Sequence, residues 1–176
     1  MTDTDDARPT HVFDPATIHA AEGLDPVDSA FATLLRIQTL LWAVPLAIAL
    51  TLLDALLIPR IGGPAGLLTT LGWIGAAILI VTVPPRRAAR WGFRIGEGEL
   101  RVARGWLFRT DTIVPFVRVQ HIDVGQGPIE RWLGLSHLIV HTSGTHNSMV
   151  VLPGLPADLA ASARETIRHH IQTDFA

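Results

Sequence analysis

The chain has 176 residues, of which 48% are hydrophobic and 17% are charged. Because roughly a quarter of the residues in a soluble domain are charged, this composition favours a membrane protein. The formal net charge of −2 and the lack of a basic stripe argue against a nucleic-acid partner, and the absence of cysteine excludes disulfides, thiol catalysis and cysteine-based metal sites.

Residues 1–33 are predicted to form an acidic N-terminal segment on the cytoplasmic side of the membrane. The run from Met1 to Asp6 is acidic, and it lacks the basic region and adjoining apolar stretch that a cleaved signal peptide requires. The first apolar span begins only after this segment. We therefore expect that span to remain in the mature protein.

Two apolar spans follow within residues 34–85. The first covers about residues 37–58 and would form a helix of roughly 33 Å, enough for a hydrocarbon core of about 30 Å. The second covers about residues 66–83 and would reach roughly 27 Å. Proline and glycine between them predict a tight reversal. Because neither span has the polar face of a soluble helix, a transmembrane hairpin is favoured over a pair of buried helices.

Asp54 is the one acidic residue inside a predicted span. A carboxylate within a membrane can mark an ion or proton path. Asp54, however, lies about one turn from the end of its helix, where ionisation near the interface costs little and Arg60 is within reach. The interfacial position is therefore the preferred interpretation.

Arginine flanks the two spans unevenly. Arg86, Arg87, Arg90 and Arg94 follow the second span, whereas the turn between the spans carries only Arg60. Because positive flanks stay in the cytoplasm, both termini of this multi-pass chain are expected on the cytoplasmic side of the cell membrane. The four arginines after the second span are also the candidate lipid-proximal residues, each contributing about 1 kcal/mol near an anionic surface.

Residues 86–176 change to short β-branched runs broken by glycine and proline, which predicts an antiparallel domain. Strands are expected at residues 91–95, 99–104, 107–114, 117–124, 135–142 and 148–152, with a helical turn at 128–134 and a hairpin turn at 143–147. Apolar residues at helical spacing from Leu159 to Ile171 then predict an amphipathic C-terminal helix. The fold class is thus a two-helix transmembrane hairpin followed by an α+β domain.

The segment VRVQHIDVGQGPIERWLGL, residues 117–135, resembles the pattern RIQHVDVxQGPLERxxGLA of the bacterial PH-domain (YdbS-like) family of small membrane proteins. The residues that carry the match are Gln120, His121, Asp123, Gln126, Gly127, Pro128 and Gly134. The resemblance extends over about residues 34–171. It implies that residues 86–176 form a PH-like antiparallel β-barrel or sandwich capped by the C-terminal helix.

The resemblance also implies a module without an enzymatic reaction or a cofactor. Members are often paired with a larger membrane protein that carries several such modules, so that protein or a second copy of the chain is the expected partner, besides membrane lipids. Phosphoinositide binding, which the PH name suggests, is not favoured. The first hairpin turn contains Glu97 and Glu99, which would repel a phosphate.

No catalytic or metal-binding constellation stands out in the sequence. His137 and His141 are predicted to share one face of a strand, with His121 and His146 as possible neighbours. No carboxylate is expected beside them and no HExxH-type motif occurs, so no metal site is predicted.

Glu130, Arg131 and Trp132 form a candidate partner surface, although core packing of Trp132 is a competing interpretation. Two functional hypotheses remain. In the first, the PH-like domain assembles with a protein at the cytoplasmic face of the membrane, through open strand edges suited to β-augmentation. In the second, the chain is an anionic-lipid-responsive envelope factor that reads headgroups through its juxtamembrane arginines.

Overall fold

The computed structural model describes residues 23–96, 98–105, 108–143 and 149–173. Its first feature is a pair of long helices, α1 (Ala30–Ile61) and α2 (Leu67–Ala88). Both are long and apolar enough to cross a membrane, in agreement with the predicted spans. Their apolar side chains face outward, and Trp42 is 82% exposed. Such a surface suits contact with lipid tails, which are as apolar as leucine.

Small residues form the contact between α1 and α2. Ala43 and Ala47 of α1 pack with Ala76 of α2 in one buried cluster. A Cβ atom at Gly72 would lie 3.1 Å from the side chain of Leu50, so glycine permits a close approach of the two helices. Small residues are typical of helix pairs in membranes, because van der Waals packing rather than the hydrophobic effect drives their association.

Both helices extend beyond the predicted spans. α1 begins at Ala30 rather than near residue 37, because its first turns pack against the C-terminal domain. α2 continues through Pro84 and Pro85 to Ala88. The two prolines have no N–H to donate, but Pro85 still accepts a hydrogen bond of 2.9 Å from Ala89, which completes the last turn.

Two antiparallel sheets form the C-terminal domain, with strand orders β1-β2-β3-β4 and β5-β6-β7. The strands are β1 (Asp25–Pro26), β2 (Gly92–Ile95), β3 (Glu99–Arg104), β4 (Thr110–Pro115), β5 (Val119–Gly125), β6 (Leu135–Thr142) and β7 (Met149–Pro156). Helix α3 (Pro128–Trp132) connects β5 to β6, and helix α4 (Ala157–Thr173) follows β7. Over the described residues the sheets do not close into a barrel, so the domain has the sandwich form of the predicted PH-like fold.

One hydrophobic core joins both sheets to α4. Leu100 of β3, Val140 of β6 and Leu152 of β7 are fully buried in it. The inward face of α4 contributes Ala163 and Ile167. The C-terminal helix therefore covers the sheets, as its helical spacing predicts.

Three strand boundaries among the described residues differ by two or more residues from the expectations based on sequence. β4 begins at Thr110 rather than at residue 107. A 3₁₀ turn, Phe116–Arg118, precedes β5, which was expected to begin at residue 117. β7 extends to Pro156 rather than ending at residue 152, because its last two residues still pair with the start of β6. The expected turn at residues 143–147 falls mostly outside the described residues.

A second buried cluster joins the domain to the end of the helical hairpin at which α1 begins and α2 ends. This junction cluster consists of Phe31, Leu34 and Leu35 of α1, Ala88 of α2 and Leu135 of β6. Directly before α1, β1 adds a two-residue edge to β2. Residues 24–33, which are predicted to belong to a separate N-terminal segment, therefore pack with the domain. Their partners lie far along the chain, where sequence patterns give no indication of contact.

Gly154 in β7 holds the start of α1 close to the sheet. Its carbonyl oxygen accepts a hydrogen bond of 2.9 Å from the N–H of Asp28. A Cβ atom at Gly154 would lie 2.6 Å from Cγ of Phe31. The Phe31 ring in turn packs edge-on against Trp91, with ring centroids 6.2 Å apart. The domain is thus held at a defined position relative to the membrane helices.

Candidate functional site

The segment that carries the family resemblance forms a continuous strip along one side of the domain. It begins in β5, continues through the turn after Gly125 and ends in α3 and the start of β6. Among the described residues, β5 lies at the edge of its sheet and pairs only with β6. The register shifts between Val119 and His121, so Gln120 lies at a bulge and its side chain is exposed. The strip therefore presents an open strand edge.

Two histidines and a carboxylate meet on the outer face of this strip. His121 Nε2 lies 2.8 Å from Asp123 Oδ1, and His141 Nε2 lies 3.5 Å from Asp123 Oδ2. The two imidazole rings have centroids 5.8 Å apart. The expectation that no carboxylate accompanies the histidines is thus wrong, because cross-strand pairing of β5 with β6 brings them together. Even so, no group of three ligands in the described part of the chain is arranged to hold a metal ion.

Glu130 holds α3 in place instead of contributing to an open surface. One of its carboxylate oxygens accepts a hydrogen bond of 2.6 Å from the N–H of Gly127 and lies 2.9 Å from Nδ1 of His137. Its side chain is only 13% exposed. Gln126 adds a hydrogen bond of 2.8 Å from its side-chain amide to the carbonyl oxygen of Leu135. Gln126 in the turn before α3 and Glu130 in α3 therefore each bond to β6.

α3 lies against the membrane-proximal end of the domain. Ile129 and Leu133 pack on the junction cluster, next to the first turns of α1 and the last turn of α2. On the opposite side Arg131 is exposed, and Trp132 is 79% exposed. The competing interpretation, core packing of Trp132, is therefore wrong, because the half-buried Leu133 packs on the junction cluster in its place. Of the three residues predicted as a partner surface, Arg131 and Trp132 are accessible.

Pro128 and Gly134 mark the two ends of the short helix. Pro128 is its first residue, a position at which the missing N–H of proline costs nothing. Gly134 has a φ of 70°, a left-handed conformation that favours glycine, and its carbonyl oxygen accepts a hydrogen bond of 3.2 Å from Ala157 at the start of α4. These family-motif residues thus shape the turn and do not form a chemical site.

The four arginines predicted to be lipid-proximal occupy different environments. Arg86 and Arg87 are exposed in the last turn of α2, Arg90 is half-buried and Arg94 is exposed on β2. Arg87 also lines a cavity of about 400 Å³, together with Trp91, Arg104, Gly105 and Thr110. Arg104 and the loop after it were not singled out from sequence. The run RGWLFR, residues 104–109, places aromatic and apolar residues between arginines and is the signal that would have indicated an interfacial segment.

Comparison with known proteins agrees with this architecture. The family model of the bacterial PH domain matches residues 32–171. UPF0699 transmembrane protein YdbS of Bacillus subtilis (strain 168) is 30% identical over 103 residues, which are 58% of this chain and 63% of that protein. The match thus covers less than two thirds of the relative's length. No solved structure matches significantly.

Proposed function

This chain belongs to the bacterial PH domain family and is a membrane protein, and from that premise we propose that it is a non-enzymatic, membrane-anchored assembly module. The contact surface would consist of the open edge of β5 and the exposed side of α3. The partner would be a second copy of the chain or a larger membrane protein with several PH-like domains.

The exposure of Trp132 is the observation that carries this proposal. A tryptophan that is 79% exposed leaves a large apolar surface in contact with water. Glu130 and Gln126 fix the position of α3, so presenting this side chain to a partner requires little additional ordering. Tryptophan and arginine are the residue types most enriched at the energetic centres of protein interfaces, and Arg131 adjoins Trp132.

The edge of β5 supplies a second mode of recognition. Its outer side pairs with no other strand among the described residues. Backbone N–H and C=O groups along such an edge can pair with an added strand, while neighbouring side chains select the partner. Gln120, His121 and Asp123 are the exposed side chains along it.

The position of α3 supports a partner that is itself at the membrane. Ile129 and Leu133 pack where α1 and α2 leave the apolar spans. The exposed arginines at the end of α2 favour a cytoplasmic position for this end of the hairpin, and hence for the domain and both termini. A membrane protein on the cytoplasmic side would reach Trp132 without displacing the domain.

Single-cysteine cross-linking tests the proposed assembly. Because the chain contains no cysteine, Q120C and W132C each introduce one reactive thiol on the proposed surface. A161C, on the exposed face of α4, is the matched control. The full chain is kept in its membrane and treated with a bifunctional maleimide. We expect Q120C and W132C to give a discrete adduct, either a dimer of the chain or a conjugate with one membrane protein, and A161C to give none.

Two outcomes would count against the assembly proposal. One is the absence of any discrete adduct from both Q120C and W132C. The other is an equal yield from A161C, which would indicate random collision. As a further check, W132A should reduce the cross-linking of Q120C about tenfold or more, since truncating a central tryptophan commonly costs 2 kcal/mol or more.

A second function, an anionic-lipid-responsive envelope factor, is supported by Arg86 and Arg87. Both are exposed where α2 leaves its apolar span. In this alternative, anionic headgroups near these residues alter the exposure of the domain. Hydrogen exchange of the full chain in anionic and zwitterionic nanodiscs tests it: protection of the domain should rise with anionic lipid and fall with added salt. Equal protection in both bilayers would eliminate this function.

A further inference from the structure

The cavity beside Arg87 lies where the membrane helices meet the first sheet. Its described lining comes from three places in the chain, with Arg87 at the end of α2, Trp91 just before β2, and Arg104, Gly105 and Thr110 around the β3–β4 connection. The volume of about 400 Å³ is within the range of roughly 300–1,000 Å³ typical of small-molecule sites. The lining is thus assembled only by the tertiary fold.

The charge of this cavity favours an anion. Among the described residues that line it, Arg87 and Arg104 contribute guanidinium groups and none contributes a carboxylate. The adjacent acidic residue, Asp111, accepts hydrogen bonds of 2.9 and 3.1 Å from Nε of Arg101, which offset its charge. Arginine donates several N–H groups in a planar fork that matches the oxygens of a phosphate.

The cavity lies at the level of the lipid headgroups. Arg87 follows the end of the predicted span, residue 83, by about 6 Å of helix rise. The polar layer on each side of a bilayer is about 5–8 Å thick, so Arg87 reaches into it. Arg36, directly before the predicted span of the other helix, is also exposed. A ligand phosphate between Arg87 and Arg104 would therefore be at the depth where lipid phosphates occur.

The backbone at Gly105 and the exposure of Phe108 support this placement. Gly105 has a φ of 124°, and a Cβ atom there would lie 1.8 Å from the carbonyl oxygen of Phe108. Glycine is thus required at this position, directly after Arg104. Phe108 is 83% exposed. An aromatic side chain beside arginines is typical of segments that contact the interfacial layer of a membrane.

We propose that this cavity binds the phosphate of an anionic lipid headgroup, which Arg87 at the end of α2 and Arg104 at the end of β3 hold between them. The inference rests on the second function above, and it adds a defined site to a general attraction between arginines and lipid. Arg104 distinguishes a defined site from a general attraction, because it belongs to the folded domain and not to the juxtamembrane arginines.

Binding of short-chain phosphatidylglycerol to the full chain in detergent, followed by native mass spectrometry, tests the site. We expect R87Q and R104Q each to weaken binding about tenfold, since each removes a charge-assisted hydrogen-bond donor. The matched control is R168Q, which removes the same charge from an exposed position on α4 that does not line the cavity. R168Q should change binding less than about twofold, because an exposed charge outside the cavity interacts weakly. Circular dichroism of each variant checks that it folds.

Two further probes distinguish the sources of phosphate. Short-chain phosphatidylcholine should bind more weakly than phosphatidylglycerol, because its choline cation opposes the two guanidinium groups. Millimolar inorganic phosphate should not displace phosphatidylglycerol. Full displacement by inorganic phosphate would overturn the lipid assignment in favour of a soluble phosphate.

The variants also separate this inference from the function on which it rests. If R86Q and R87Q weaken binding equally while R104Q has no effect, the cavity is not the site and only the general arginine attraction remains. If phosphatidylglycerol shows no arginine-dependent binding at all, both ideas fail. The assembly proposal depends on Q120C and W132C and is not affected by either result.

Discussion

The carboxylate of Asp54 in α1 accepts a hydrogen bond of 2.7 Å from the backbone N–H of Gly66, the residue that precedes α2. It also accepts bonds from the N–H of Leu68 at 3.3 Å and from the hydroxyl of Thr69 at 3.2 Å. Asp54 is only 6% exposed. Arg60, the alternative partner considered from sequence, donates to the carbonyl oxygen of Leu56 instead. Asp54 therefore caps one membrane helix from the other.

Removing this cap should destabilise the helical hairpin. D54A leaves the first N–H groups of α2 without an acceptor, and we expect it to lower the free energy of unfolding by about 2 kcal/mol. D54N keeps one acceptor oxygen and should have a smaller effect. Unfolding of the full chain in mixed micelles, followed by circular dichroism, measures both values. L57A, at a 41% exposed position of the same helix, is the control and should shift stability by no more than about 0.5 kcal/mol.

Gly154 and Gly134 permit a matched test of the junction between domain and membrane helices. Their φ values, 71° and 70°, are nearly identical, so alanine at either position costs about 1 kcal/mol of backbone strain. A Cβ at Gly154 would meet Phe31, whereas a Cβ at Gly134 would have no atom within 4 Å. We therefore expect G154A to cost about 1–3 kcal/mol more than G134A in thermal or chemical unfolding. Equal losses would show that the Phe31 side chain moves aside at no cost in free energy and that its contact with Gly154 does not contribute to stability.

Glu130 is predicted to stabilise the fold. E130A removes the acceptor for Gly127 and the partner of His137, and it should lower the free energy of unfolding by about 1–3 kcal/mol. E130Q retains an acceptor oxygen and should cost less. E165A on α4 is a suitable control, because the Glu165 side chain is 66% exposed and lies 3.9 Å from Arg168. A loss from E165A as large as that from E130A would refute a specific role for Glu130.

Asp111 should make the first sheet sensitive to acid. The hydrogen bonds from Arg101, with a smaller contribution from the charge of Arg109, lower the pKa of Asp111 below its ordinary value of 3.8. Because the folded state binds the proton less tightly, the stabilisation is present above pH 3.8 and is lost as the pH falls through the lowered pKa. The side chains are about a third exposed, so the contribution is limited to about 0.5 kcal/mol.

The measurement for Asp111 is the free energy of unfolding as a function of pH. In D111N, the decrease in the free energy of unfolding at acidic pH should be smaller by the contribution of Asp111, and the rest of the pH dependence should remain. E165Q, which changes a more exposed carboxylate, should show the same decrease at acidic pH as the parent chain. If D111N loses as much stability in acid as the parent chain, the proposed contribution of Asp111 is contradicted.

The helical hairpin and the order of strands could be predicted because both depend on local patterns. Long apolar runs without a polar face indicate the two spans wherever the rest of the chain lies. The predicted strand at residues 99–104 coincides with β3, since apolar Leu100 and Val102 alternate with Arg101. The exposure of Trp132 could not be predicted from sequence. A helix of five residues is too short to show the hydrophobic periodicity that indicates which side is buried.

The sequence alone determined that the chain has two helices long and apolar enough to cross a membrane, followed by a strand-rich domain, since hydrophobic length and periodicity act between near neighbours. Only the tertiary structure decided which residues meet at the junction and at the surface. Phe31 packs on Gly154, Glu130 turns toward His137, and Arg87 shares a cavity with Arg104. Two of these three pairs join residues far apart in the chain, and the pairing of strands and the docking of the sheets on the helices determine which side chains come into contact.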